Sequence, residues 1–371
     1  MSKSLLSILP LHSFFSFSRY VIYWEVFCTD NTKEKSRPSL PSGAAFPLSS
    51  GHICDDGCSC CSTEGNCTKI LDQLQEEVSS KFQSKKESGL ILAHVYYELG
   101  LDARSARVSE CATFLEFHVT ETEKKLHTAN FCRDRLCPGC NWRRSLKIFG
   151  QVSQVMDVLE NQRFQFLFLT LTVKNCSASD LPCTVGKLLD GWSTLRHRKR
   201  FKTSVVGSFR SLEITRNKFD GSFHPHLHVI LAVCPDYFAG RNYVPQSEWS
   251  KLWRSCCDLA YDPIVDIRKI KSDARGISGA VAEAAKYAAK DSDYLTGSFE
   301  DMKVSVSALF ESISGRRLCS FCGCFDKVRK QLALDDPEDG DLVHVETDQF
   351  RDDVAYMVVR YFWRAGVYVT G

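Results

Sequence analysis

Three histidines within five residues, His224-Pro-His226-Leu-His228, open an apolar run that ends at Leu231. On a β-strand, side chains two positions apart share a face. His226 and His228 therefore project together, while Leu227 turns into the core between them. Two imidazoles meeting in this way suit a divalent metal. A third ligand must come from a neighbouring strand. Glu213, in Ser211-Leu-Glu213-Ile-Thr215, lies across a short turn punctuated by Asp220-Gly221. Two histidines and one carboxylate leave coordination positions open to a phosphate oxygen. A lone histidine here would read more simply as a residue on a wet sheet face.

A second group lies downstream, in Glu283-Ala-Ala-Lys286-Tyr287-Ala-Ala-Lys290-Asp291-Ser-Asp293. The alanines favour helix. On a helix Glu283 and Tyr287 are i,i+4 neighbours and Tyr287 and Lys290 are i,i+3 neighbours. One face then shows an acid, a phenol and an amine, with small side chains around them that let a phosphate backbone approach. A phenol near its usual pKa of about 10 is a poor nucleophile, so a metal or base must activate it or polarise its target. Taken alone, the segment also reads as a surface helix with an ion pair and a packed tyrosine.

Cys132-x4-Cys137-Pro-Gly-Cys140, with Cys111 upstream, has the spacing of a zinc knuckle. Residues 112–131 would form a hairpin that returns the chain to the metal, and His118 or His127 is an alternative to one thiol. Cys319, Cys322 and Cys324 read as packed thiols, as do Cys176, Cys183 and Cys234. The group Cys54, Cys58, Cys60, Cys61 and Cys67 reads as an unstructured thiol-rich segment. With 18 cysteines in 371 residues, this pattern fits a reduced, cytoplasmic compartment better than a short secreted disulfide scaffold.

The elements that must position these residues follow from periodicity. Residues 69–106 are helical in period, and 142–160 form an amphipathic helix. Phe164–Val173, Val206–Thr215 and His226–Val233 read as strands, the last two joined as a hairpin. Val185–Lys202 reads as a basic helix, and Ser247–Leu259 and Gly279–Lys290 as further helices. Strands interleaved with helices around a hairpin predict an α+β fold, with a mostly antiparallel central sheet and flanking helices. A small cysteine zinc-binding module precedes it. The expected division is a disordered extension over 1–68, a helical segment over 69–110, the cysteine module over 111–145, the main domain over 146–345 and a C-terminal segment over 346–371. Residues 5–28 are apolar, but Pro10, His12, Arg19 and Glu25 interrupt them, which argues against a membrane or signal segment.

The net charge of +2 is uninformative, but its distribution is not. Lys187, Arg196, Arg198, Lys199, Arg200, Lys202, Arg210, Arg216 and Lys218 face only Asp190 and Glu213 in their stretch. Between Gln331 and Asp353 acidic residues outnumber the single base, Arg351. A basic middle suits a polyanion, with the acidic tail facing elsewhere.

His226-Leu-His228 resembles the histidine–hydrophobe–histidine pair of the HUH endonucleases. Tyr287-Ala-Ala-Lys290 resembles the nucleophile motif of their single-tyrosine members, and Phe168-Leu-Thr-Leu-Thr172 their first motif. Order and spacing are similar to those of the rolling-circle replication initiators of small bacterial plasmids. The nearest group carries a glutamate four residues before the tyrosine, here Glu283. The likeness covers about residues 111–345, including Trp142-Arg143-Arg144, Gly323, Leu334-Asp335-Asp336 and Gly340-Asp341-Leu342.

The resemblance implies that Tyr287 nicks one strand of a plasmid origin, keeping the 5′ phosphate and freeing a 3′-OH primer. It implies Mg2+ or Mn2+ on His226, His228 and Glu213. Glu283 would activate water for the terminating step and Lys290 would neutralise phosphate charge; Tyr294, seven residues on, stays open as a second nucleophile. The implied partner is origin DNA, as a double-strand origin, hairpin or single-stranded nick site. Host helicase and polymerase are further partners, and a homodimer is compatible. Arg196, Arg198, Lys199, Arg200, Lys202 and Arg216 would hold phosphates, with Trp192 and Phe201 stacking on bases. A relaxase or transposase would use the same chemistry. A non-enzymatic zinc-dependent DNA-binding protein is the alternative of a different class.

Overall fold

The computed structural model describes residues 64–345 and 356–371 apart from Ser272 and Tyr287, with residues 64–67 and 274 described by backbone only. The apolar run 5–28, the cysteines from Cys54 to Cys61 and the nucleophile candidate Tyr287 lie outside the described residues. The expected extension over 1–68 overlaps helix α1, Glu64–Glu77. This helix continues through a π turn, Val78–Phe82, into α2, Gln83–Glu98, and α3, Asp102–Ser109, follows. Leu74, Val78 and Phe82 recur every fourth residue and are buried. Phe82 is thereby set edge-on against Phe117 and Trp142, at ring-centroid distances of 5.8 and 4.9 Å.

Two antiparallel sheets follow. The smaller has order β2-β1-β8-β9, from β1 (Phe114–Val119), β2 (Lys124–Ala129), β8 (Met357–Arg364) and β9 (Val367–Thr370). Alternation puts Leu115, Phe117 and Val119 of β1 into the core. The last strands are thus part of the sheet that carries the cysteine-rich stretch: β8 pairs with β1 along its whole length, and the Tyr368 hydroxyl donates to the Ala112 carbonyl (2.5 Å).

The larger sheet has order β6-β3-β5-β4-β7: β3 Gln165–Thr172, β4 Gly207–Arg216, β5 Phe223–Val233, β6 Val265–Lys269 and β7 Cys319–Gly323. The α+β class and the antiparallel central sheet are as expected. One face, with Leu167, Leu169, Leu171, Leu227, Val229 and Leu231, packs on α5 (Leu181–His197) and α7 (Gln246–Cys256) through Val185, Leu188, Trp192, Trp249 and Trp253. Each of these fully buried aliphatic side chains stabilises the fold by about 1.5–3 kcal/mol. The other face carries His226 and His228. It meets α8 (Ala274–Ala284) through Glu283, and α11 (Cys324–Gln331) through Phe325, whose ring lies 6.3 Å from that of Phe166. Gly323 joins β7 to α11 at φ 61°, where a Cβ would sit 2.3 Å from the Val206 carbonyl oxygen, so only glycine fits.

The basic stretch is not one helix. It breaks at Arg198, in extended conformation, between α5 and a short α6, Lys199–Ser204. The acidic stretch does not face elsewhere over its described part. It folds back on α4, Pro138–Asn161, where Lys147 meets Asp335, the Arg144 Nε donates to the Glu338 carbonyl and the Arg143 Nε donates to that of Leu342. Helix α4 runs unbroken across the expected boundary at 145/146.

Glu338 anchors this return. Its buried carboxylate accepts from the Leu318 and Cys319 amides (2.9 and 3.0 Å) and pairs with Arg317 and Arg135 (3.4 and 3.5 Å). Glu338→Ala should therefore cost about 3–5 kcal/mol by leaving buried donors and charge unmatched. Denaturant melts check this; an unchanged midpoint would show the network to be dispensable. Among the described residues no helix is long and apolar enough to cross a membrane.

Candidate metal-dependent nicking site

Strand register builds the first part of the site. Glu213 of β4 lies directly opposite His226 of β5, and Thr170 of β3 lies opposite His228. The Glu213 Oε2 is 3.2 Å from the His226 Nε2 and 2.9 Å from the His228 Nε2, and those two nitrogens are 3.1 Å apart. All three side chains are buried, and Leu227 between the histidines faces the opposite core, as alternation requires. The His226 Nδ1 lies 3.1 Å from the His224 carbonyl oxygen, close enough to donate to it in the tautomer that would turn the Nε2 lone pair to a metal. The Thr170 hydroxyl lies 3.5 Å from the His228 Nδ1. Thr170 lies within Phe168–Thr172, and the strand register is what sets it beside His228.

Three acceptor atoms meeting at about 3 Å repel one another unless a cation or proton lies among them. A divalent cation with ligands at about 2.0–2.1 Å would hold donor atoms about 3 Å apart, so Glu213, His226 and His228 are spaced to bind one. Burial alone would raise the Glu213 carboxyl, but hydrogen bonds to His226 and His228 and the nearby Lys286 hold it well below the usual carboxylate range.

The second part departs from expectation. Helix α8 ends at Ala284 rather than continuing to Lys290, which is extended before the short helix α9, Asp291–Tyr294. The expected helix over Gly279–Lys290 is thus cut short, and Tyr287 itself lies outside the described residues. Ala284, Ala285, Ala288 and Ala289 are buried rather than left open for a phosphate backbone, and the Ile214 amide donates to the Ala288 carbonyl at 2.6 Å. Packing on β4 overrides the helix preference of alanine.

The charged members of the motif still collect at the triad. The Glu283 Oε1 lies 3.5 Å from the His228 Nε2 and 2.5 Å from the Lys286 Nζ. The Lys290 Nζ lies 3.9 Å from the Glu213 Oε1 and is half exposed. Tyr294, left open as a second nucleophile, is fully buried; its hydroxyl donates to the Leu136 carbonyl, and burial pushes its phenol well above its ordinary value.

A separate group forms from Cys111, Cys132, Cys137 and Cys140. Their sulfurs lie within 4.8 Å of one another, with Cys111–Cys140 and Cys132–Cys140 at 3.7 Å and Cys111–Cys137 at 3.5 Å. Tetrahedral zinc with Zn–S of about 2.3 Å requires about 3.8 Å. The Arg133 amide donates to the Cys140 Sγ at 3.2 Å and the Cys132 amide to the Cys111 Sγ at 3.3 Å, the pattern that stabilises thiolates at a knuckle. Cys111 completes the set, and His118 and His127 fall in a different cluster. Cys319 is packed as expected and Cys322 meets the Arg196 guanidinium (3.1 Å), whereas Cys183 is exposed rather than buried.

The basic residues divide. Arg216 pairs with Asp301 and Arg200 with Glu248, so both, like Arg196, have internal partners. Arg198, Lys199 and Lys202 are exposed. Trp192 and Phe201 are buried, their rings 5.7 Å apart, and are not available to stack on bases. They form the apolar side of their helices.

Comparison with known proteins gives the family. The profile described as Replication protein matches residues 123–369. The chain belongs to this replication protein family. It is 37% identical over 285 residues to Protein rep of Streptococcus pneumoniae serotype 2 (strain D39 / NCTC 7466), covering 75% of this chain and 88% of that one. It is 36% identical over 334 residues to Protein rep of Bacillus amyloliquefaciens (82% and 98%). It is 41% identical over 266 residues to Protein rep of Lentilactobacillus hilgardii (69% and 84%). No solved structure matches. The matched region of this Rep family member includes β8 and β9, so the terminal strands are part of what the family shares.

Proposed function

We propose that this Rep family member initiates plasmid rolling-circle replication by nicking one strand of the origin. The observation that carries this reading is the buried Glu213–His226–His228 triad, with Glu283, Lys286 and Lys290 gathered beside it. Tyr287, next in the chain to Lys286, is assigned the nucleophile. Its phenolic oxygen loses its proton and bonds to phosphorus as the bond from phosphorus to the 3′ oxygen breaks; that proton, passed through water, ends on the 3′ oxygen, and the protein keeps the 5′ phosphate. Mg2+ or Mn2+ on Glu213, His226 and His228 would supply Lewis-acid polarisation of the scissile phosphate. Lys290 offsets the charge that gathers on the equatorial oxygens. Exposed Arg198, Lys199 and Lys202 are assigned to phosphate contacts along the DNA.

The test is supercoiled origin plasmid with Mg2+ or Mn2+, scored for nicked circles and covalent adducts. Binding without cleavage under any metal would favour a zinc-dependent DNA-binding protein instead. Glu283 is assigned the base that takes a proton from water when the tyrosine is already esterified. Glu283→Gln should leave the first nick near normal and slow release by about 10²–10⁴-fold. A plasmid with two origin copies reads this out, and normal excision of the smaller circle would reduce Glu283 to an ion-pair partner of Lys286.

The four-cysteine set is assigned a structural zinc. Cys137→Ser should abolish zinc retention at this set and lower stability by several kcal/mol, since structural zinc binding is folding free energy of about 10–16 kcal/mol in small domains. Elemental analysis with thermal melts checks it; full stability without zinc would overturn the assignment.

A further inference from the structure

We propose that Phe219, at the tip of the β4–β5 hairpin, stacks on an unpaired base of the origin strand a few nucleotides from the scissile phosphate and so positions that phosphate at the triad. This rests on the nicking function proposed above and names a residue that holds the substrate for it.

Among the described residues Phe219 is a large apolar side chain left completely exposed, at 100%. Solitary exposed hydrophobic residues are ordinary on protein surfaces. This one is set apart by its place. Pairing of β4 with β5 runs from Glu213–His226 through Ile214–Pro225 and Thr215–His224 to Arg216–Phe223, and the turn that follows carries Phe219. Two strands that hold the triad thus end in this tip. At about 3.4 Å per strand residue, the ring lies on the order of 10–20 Å from the triad. That spans roughly three to six nucleotides of a stacked strand, at about 3.4 Å each.

The tip is ordered and braced on both flanks. The Asn217 amide donates to the Ser222 carbonyl (2.8 Å) and the Gly221 amide to that of Asn217 (2.9 Å). The Phe219 amide donates to the Asn217 Oδ1 (2.9 Å). On one flank Cys176 and Phe223 exchange backbone hydrogen bonds, and the Asn175 Nδ2 donates to the Ser222 Oγ (2.9 Å). On the other, Arg216 pairs with Asp301 (3.2 Å) of α10, Phe299–Ile313. A ring presented on a loop already ordered gives up little freedom on binding.

The charges around the tip suit a phosphate backbone. Lys218, next to Phe219, and Lys174, just past β3, are exposed. The one acid of the tip, Asp220, is engaged: its Oδ1 accepts from the Ser222 amide and hydroxyl (2.9 and 2.6 Å). Burial pushes the Asp293 carboxyl up while Lys290 and Lys218 both draw it down, so the tip and the Lys290 segment border the same ground. Trp192 and Phe201, the aromatics expected to stack, are buried, which leaves that role to an exposed ring. Stacking of a base on an aromatic side chain tolerates any base, as a tip without a reading code requires.

The experiment mixes full-length protein with single-stranded origin oligonucleotides in which 2-aminopurine replaces one base at a time. Fluorescence should be quenched at a position roughly three to six nucleotides from the nicked phosphate. Phe219→Ala should abolish that quenching and weaken oligonucleotide binding by about 5–150-fold. Its melting curve should stay unchanged, since the side chain is fully exposed. Phe219→Trp should retain both quenching and affinity. In nicking of the same oligonucleotides, Phe219→Ala should raise KM far more than it lowers kcat. Quenching and affinity indifferent to Phe219→Ala, the result expected if the ring docks on a partner protein, would overturn the proposal. So would equal loss in Phe219→Trp. Phe219-dependent quenching by a protein that never nicks would sink the proposed function and leave the stacking standing. Normal nicking that ignores Phe219→Ala would sink the stacking alone.

Discussion

Tyr287→Phe should lower origin nicking by about 10⁴-fold or more and abolish the covalent protein–DNA adduct, while origin binding persists. The substitution removes one oxygen and almost no volume, so its effect isolates the nucleophile. The neighbouring geometry sharpens the expectation. Tyr294, the other tyrosine of this segment, is buried with its hydroxyl committed to the Leu136 carbonyl, so it cannot take over without local unfolding. An adduct formed by the Phe variant would therefore overturn the assignment of Tyr287. Peptide mapping of that adduct would then name the true nucleophile.

The paired change His226→Ala and His228→Ala should remove Mg2+ or Mn2+ dependence together with nicking, by about 10³-fold or more, since Lewis-acid stabilisation of a transferring phosphate is worth several kcal/mol. The fold should survive. Both histidines lie on the face of β5 opposite the Leu227–Val229–Leu231 core, which the substitutions leave intact. The stability cost is that of leaving the buried Glu213 carboxylate without its two partners, about 3–5 kcal/mol. Glu213→Gln should weaken the metal response with a smaller cost to stability, because an amide needs no counter-charge. Metal titrations of nicking rate alongside circular dichroism separate these effects. Unchanged rates and unchanged metal response would sink the triad as the catalytic metal site.

The parts legible in the sequence were those governed by local periodicity. Alternation alone predicts that His226 and His228 share a face with Leu227 turned away, and the Asp220-Gly221 turn points to Glu213 as the residue opposite. The cysteine spacing likewise anticipates the four-thiol set. What escaped was decided by packing between distant segments. Alanines at 284, 285, 288 and 289 favour helix in isolation, yet all are buried, and β4 takes a backbone hydrogen bond with Ala288 in place of further helical turns. The charge blocks misled for a related reason. The acidic stretch, expected to face elsewhere, instead brings the 334–342 carbonyls and Asp335 onto Arg143, Arg144 and Lys147 of α4. The place of Thr170 beside His228 needed the pairing of β3 with β5.

The pairing of β8 with β1 has a consequence for synthesis. Tyr368 and Ala112, joined by a hydrogen bond, are 256 positions apart in the chain. At about 5–20 residues per second, a ribosome leaves β1 without this neighbour for roughly 10–50 s. All four cysteines have emerged long before then, so the zinc proposed for them would cross-link residues 111–140 while the inner face of β1 is still partly uncovered. A message cut short before residue 357 would therefore yield a chain able to load zinc but left with an unpaired strand edge, the kind of surface on which nascent chains aggregate.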